Sequence, residues 1–181
     1  MSPSPEAVRA ELQAAIGDHQ AGRLAEAEAL YRRVIEHAPG HPDALHFLGL
    51  LAHQAGNHAA AVELIGQALK VIPAHAPCHL HLSLALQSLG RLDEALASCR
   101  RAQNLDPRLA EAPNNEGNIL LEQGDPAAAL PCFERALALD PDLVVALNNC
   151  GMVLITLGRP EAALAALDRA LTLRGDYPEA M

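Results

Sequence analysis

Apolar and polar residues follow one another along this chain with helical spacing, in stretches of about 13 residues that halt at a glycine, resume, and stop at a proline. "LGLLAHQAG" closes one such stretch. "EAALAALDRALTL" is another, with Leu164, Leu167 and Leu171 three and four residues apart on one side. The punctuation recurs at a fixed step: Gly22, Gly56, Gly90, Gly124 and Gly158 are each 34 residues apart, as are Ala27, Ala61, Ala95, Ala129 and Ala163, and Pro39, Pro73, Pro107 and Pro141. This divides the chain without insertion into repeats 8–41, 42–75, 76–109, 110–143 and 144–177, each predicted to be a helical hairpin. Residues 1–7 read as an N-terminal cap segment and 178–181 as the start of a truncated sixth repeat.

Each recurring residue has a physical task. The glycine can take the left-handed conformation that ends the first helix of a hairpin, where a side chain costs about 1 kcal/mol. The alanine lets two helix backbones approach closely, and the proline, which cannot continue a helix, forces the turn into the next hairpin. Pro126 and Pro160 fall at first turns, where a missing N–H is harmless. Pro131 lies deeper and is expected to bend its helix.

Composition narrows the class to all-α. Half of the residues are apolar, mostly Ala and Leu, with two Phe, two Tyr and no Trp, which suits close helix packing better than a strand-rich sandwich. A formal net charge of −9 argues against nucleic acid as a partner, because such binding needs clustered Lys and Arg. No stretch approaches the roughly 18 uninterrupted apolar residues of a membrane span, and "MSPSPEAVRAELQ" has no signal-type apolar run, so no membrane association and a cytoplasmic protein are expected. Cys78, Cys99, Cys132 and Cys150 form no CxxC and read as reduced core residues.

Five copies of the Leu-Gly, Gly, Ala and Pro spacing in register resemble the tetratricopeptide repeat, over nearly the whole chain from Val8 to Tyr177. The large aromatic usual near the start of the first helix is replaced here by Glu11, Leu45, His79, Pro113 and Leu147. The resemblance implies a right-handed superhelical solenoid of five 34-residue helix-turn-helix repeats, whose first helices line a concave groove through positions 2, 5, 6, 9, 12 and 13 of each repeat. Mapped onto this sequence, those positions include His46, His81 and Leu84 in the earlier repeats and Asn114, Asn115, Asn118, Asn148, Asn149 and Met152 in the last two.

Asparagine is a poor choice inside a helix, so the pair Asn114–Asn115 and its copy Asn148–Asn149 call for a reason. One reading is a ladder of amides, each offering donor and acceptor to an extended peptide backbone while Leu, Ile and Met bury apolar portions of it. Local hydrogen bonding or exposure to water is the other. "NNEGNIL" and "NNCGMVL" are similar to the groove helices of protein O-linked N-acetylglucosamine transferases and their bacterial relatives, which implies backbone recognition at Asn115 and Asn149. Tetratricopeptide domains that clamp carboxylate chain ends require cations where this chain has Val145 and Asn149. The expected function is therefore a protein-interaction module that binds an extended peptide. The alternatives are the N-terminal substrate-docking domain of a larger glycosyltransferase-like enzyme and a self-assembling scaffold.

All nine His lie between His19 and His81, either as a pH-sensitive strip or as polar filling. No HExxH occurs, and His75 and His79 straddle a turn, so neither metal nor other cofactor is expected. Glu116 takes a position where other repeats place Ala14, Leu48, Leu82 and Cys150, against the partner helix, and is expected to reach water or an Asn amide rather than to act in catalysis. No nucleophile, second acid or phosphate loop accompanies it, so no catalytic residue and no enzymatic activity are expected. Ser4, Pro5 and Glu6 read as a helix start. The last helix keeps exposed-type leucines without a capping polar face, from which a longer protein, and homo-oligomer formation through this helix, are expected.

Overall fold

The computed structural model describes residues 4–175, and the predicted sixth-repeat start at 178–181 lies outside them. The described residues form ten α-helices and no strand, arranged in two compact units, Met1–Gly90 and Arg91–Met181. The first unit holds α1 (Pro5–Gln20), α2 (Leu24–His37), α3 (Pro42–Gln54), α4 (His58–Val71) and α5 (Ala76–Ser88). The second holds α6 (Leu92–Leu105), α7 (Glu111–Glu122), α8 (Pro126–Leu139), α9 (Val144–Thr156) and α10 (Pro160–Gly175).

Local chemistry accounts for where the helices start and stop. Ser4 Oγ accepts from the Ala7 N–H at 3.2 Å, Asn57 Oδ1 from Ala60 at 3.3 Å and Asp125 Oδ1 from Ala128 at 2.9 Å, each relieving a helix-start donor. At the hairpin turns the five periodic glycines have φ between 70° and 83°. In the first turn the Gly22 N–H bonds to the His19 carbonyl at 3.0 Å and the Arg23 N–H to the Asp18 carbonyl at 2.9 Å, the paired closure of a Schellman motif. Asn57, Asp125 and Arg159 repeat the longer bond at 2.8–2.9 Å. Pro131 sits inside α8, which continues to Leu139. The carbonyl it leaves without a helical partner belongs to exposed Ala127, within reach of water.

The periodic alanines are buried as their spacing requires, from Ala27 in α2 to Ala163 in α10. In the first unit Leu12, Tyr31, Val34, Leu48 and Leu51 pack together, and Ile65, Leu45 and Cys78 form a second cluster. In the second unit Leu130 and Phe133 of α8 meet Cys150, Val153 and Leu154 of α9. Among the glycines, Gly49, Gly117 and Gly151 lie tightly against a neighbouring helix. A Cβ at Gly117 would lie 2.6 Å from Phe133 Cε1, at Gly49 2.6 Å from Ile65 Cγ1, and at Gly151 2.6 Å from Leu167 Cγ. All four cysteines are free thiols, with Cys78, Cys99 and Cys150 buried.

Candidate functional site

In the second unit the amides of α7 and α9 converge. Asn114 and Asn115 are 5% and 9% exposed, and Asn118, Asn148 and Asn149 are half-buried. The Asn149 side chain donates to Asn114 Oδ1 at 3.1 Å and to Asn118 Oδ1 at 2.9 Å, and Asn114 donates to Asn115 Oδ1 at 3.4 Å. Four of the five predicted amides are thus joined in one hydrogen-bonded chain rather than standing as separate rungs, with Asn149 as its hub. That chain leaves the Nδ2 groups of Asn115 and Asn118 and the Oδ1 of Asn149 outside its own bonds. Beside it, Val145, Met152 and Ile155 of α9 are exposed, Met152 to 61%. Their spacing of seven and three residues sets them on one side of the helix with Asn148 and Asn149.

Glu116 does not reach water or an Asn amide as its sequence position suggested. It is 8% exposed, and its carboxylate accepts from Arg100 Nε at 2.7 Å and from Gln103 Nε2 at 2.6 Å, both on α6. Gln103 Oε1 in turn accepts from Arg135 of α8 at 2.9 Å. The buried carboxylate therefore ties α7 to α6, and through Gln103 to α8. Buried acids persist where each oxygen has a donor, which is the case here.

In the first unit the predicted residues His46 and His81 are in direct contact, Nε2 of the former 2.7 Å from Nδ1 of the latter, while Leu84 is half-buried farther along α5. Rings continue outward from this pair: His46 stacks on Phe47 with centroids 5.1 Å apart, and Phe47 on Tyr31 at 5.8 Å. His75 caps α5, its Nδ1 accepting from the Cys78 N–H at 3.2 Å and lying 3.0 Å from Cys78 Sγ. Burial, with the neighbouring His81 and His75 adding to it, pushes His46 down to about 3. Burial also lowers His81, with His53 and His75 contributing. Burial, helped by the charge of Asp43, pushes the Cys78 thiol up to about 12. Burial thus favours the neutral forms of His46, His81 and Cys78. The sequence reading missed His75 and Cys78 as members of this cluster. Their three-residue separation at a helix start was the available sign.

Elsewhere in the first unit a cavity of about 660 Å³ is lined by Arg9, Gln13, His37, His41 and Asp43, among others. His41 Nδ1 is the buried side-chain polar atom among the described residues that has no hydrogen-bond partner. No described helix is long and apolar enough to cross a membrane.

Comparison with known proteins agrees with this architecture. Residues 114–179 match the family model of the tetratricopeptide repeat, and residues 20–102 that of anaphase-promoting complex, cyclosome, subunit 3. No curated protein matches the sequence. Among solved structures, the chain is similar to PilF of Pseudomonas aeruginosa, with 23% identity and a TM-score of 0.84 over 92% of this chain and 76% of that one. It is similar to TTC0263, a thermophilic tetratricopeptide protein of Thermus thermophilus, with 24% identity and a TM-score of 0.77 over 94% and 96% of the two chains. YrrB, a tetratricopeptide protein with an unusual peptide-binding site, shares 23% identity and a TM-score of 0.70 over 92% and 86%. At these identities the likeness is one of fold. The tetratricopeptide repeat match covers residues 114–179, and the chain as a whole shares the fold of these tetratricopeptide proteins.

Proposed function

We propose that this chain is a protein-interaction module, and that the α7–α9 face of its second unit holds an extended segment of a partner protein by its backbone. The observation that carries this reading is the asparagine chain, bonded within itself and with amide groups outside its own bonds, beside exposed Val145, Met152 and Ile155. A peptide backbone offers N–H and C=O groups at regular intervals that fixed amides can pair with whatever the peptide's side chains are, and the three apolar residues can bury part of what lies between. The likeness of "NNEGNIL" and "NNCGMVL" to transferase helices that hold peptides in this manner supports the same reading. So does the general role of tetratricopeptide proteins as interaction modules.

The test uses peptides selected from a displayed random library against the folded protein. Replacing Asn115 and Asn149 together by Ala removes amide bonds worth about 0.5–1.5 kcal/mol each, so affinity measured by titration calorimetry is expected to fall about 5- to 150-fold with helicity retained. Unchanged affinity for a peptide that binds the unaltered protein would rule the face out.

A second reading, self-association through α10, is favoured by Leu164 and Leu171, which are 61% and 68% exposed on that helix. Concentration-dependent mass in light scattering that disappears on Leu164→Glu with Leu171→Glu is its expected signature. A constant monomer mass at high concentration would refute it.

A further inference from the structure

We propose that His46, His75 and Cys78 form a binding site for a divalent transition-metal ion of the zinc class. The donor atoms of His46, His75 and Cys78 all lie within 4.8 Å of one another. His81 Nδ1 lies beside the group, 2.7 Å from His46 Nε2. His75 and Cys78 come from a single short stretch, "HAPCHLH", which turns from the α4–α5 connection into the first turns of α5. His75 caps that helix, so its ring folds back over the first turn onto Cys78, and His81 follows one turn later. His46 reaches the group from α3, 35 residues before His81. The site lies wholly within the first unit.

Chemistry and geometry both suit such an ion. Imidazole and thiolate are the ligands zinc prefers, and bond lengths of about 2.0–2.3 Å place tetrahedral donors roughly 3.3–3.7 Å apart. The donors of His46, His75 and Cys78, within 4.8 Å of one another, reach that spacing by side-chain rotations that move them by up to about 1 Å. His46 and Cys78 are buried, and His75 and His81 are half-buried, so an ion can enter from one side and be held away from bulk water. The three imidazoles are close together, two of them joined by a bond that either ring can donate, an arrangement that a cation would replace with stronger contacts. Asp43 acts on Cys78 electrostatically, and its negative charge favours a cation there. On binding, the Cys78 thiol loses its proton to water as the S–metal bond forms. His46 and His75 each bind through the unprotonated nitrogen of the neutral ring, so no further proton is released. The ion joins α3 to α5, elements of successive predicted repeats.

Cobalt(II), a spectroscopic substitute for zinc, tests this directly on the reduced, metal-free protein. One equivalent is expected to produce a thiolate-to-cobalt charge-transfer band together with the intense visible bands of tetrahedral coordination, and zinc is expected to displace it. Cys78→Ser should abolish the charge-transfer band. Cys132→Ser and His53→Gln with His58→Gln, which alter a thiol and a histidine pair outside the cluster, should leave it intact. His46→Gln and His75→Gln should each weaken cobalt binding at least tenfold. Circular dichroism establishes that each variant is folded. Should a variant of Cys78 unfold, the two histidine variants decide alone. A folded protein that gives no charge-transfer band, a band that survives in folded Cys78→Ser, or parent-like affinity in both folded histidine variants would overturn the proposal.

Discussion

Replacing Glu116 by Leu is expected to destabilise the protein, although it exchanges a buried charge for an apolar side chain of similar size. The carboxylate accepts from Gln103 Nε2 at 2.6 Å and Arg100 Nε at 2.7 Å. Gln103 is buried, and its amide otherwise donates only across a 4.0 Å approach to Cys99 Sγ, so losing Glu116 strands it at about 1–3 kcal/mol. The Arg100 side chain is 56% exposed and finds water instead, so its share is discounted to about 0.5 kcal/mol. Burying the leucine carbons returns about 1 kcal/mol. The net loss is about 0.5–2.5 kcal/mol, which in a chain of this length lowers Tm by about 2–10 °C. Glu116→Gln keeps an acceptor for Gln103 and should lose less. Glu116→Leu with Gln103→Leu removes donor and acceptor together, and is expected to recover most of the loss, because only the exposed Arg100 and Arg135 are then left to solvent. Far-ultraviolet circular dichroism during thermal and urea unfolding is the assay, since a chain with no Trp gives little fluorescence signal. If Glu116→Leu melts at or above the parent temperature, the carboxylate is a misfit and the reasoning from its partners fails.

Gly117→Ala should destabilise by about 1–3 kcal/mol, because the new Cβ lies 2.6 Å from a fully buried Phe133 ring that has nowhere to move, and this exceeds the roughly 1 kcal/mol gained in helix propensity. Gly151→Ala meets half-buried Leu167, which can rotate away, so its melting temperature should stay closer to the parent's. Equal shifts for the two variants would contradict this ranking. Gly66 lies inside α4, where an added Cβ would meet nothing within 4 Å, so Gly66→Ala should raise stability by about 0.5–1 kcal/mol in urea unfolding. Asp125→Ala removes the bond to the Ala128 N–H and should lower stability by about 1 kcal/mol, read from the same transition.

Turns, caps and the tight seams were legible in the sequence because they depend on properties that single residues carry. A glycine at a hairpin turn reads as positive φ, and all five periodic glycines adopt it. Ser4 reads as a cap and bonds as one. The 34-residue step likewise set where small residues must lie, and the periodic alanines are buried. The asparagines were recognisable as a recurring set, but not as a bonded one. Asn149 reaches Asn114 across 35 residues, and that contact depends on how far α9 slides along α7, which side-chain volumes along the whole seam decide. Glu116 shows the same limit: its position indicated the partner helix of its own hairpin, yet its donors stand 13 and 16 residues earlier on α6, because the rotation of α7 turns the carboxylate that way. The histidine cluster divides along the same line. His75 and Cys78 meet through the local geometry of a helix start, whereas His46 joins them only because α3 and α5 pack side by side, and no spacing along the chain encodes which face each turns to the other.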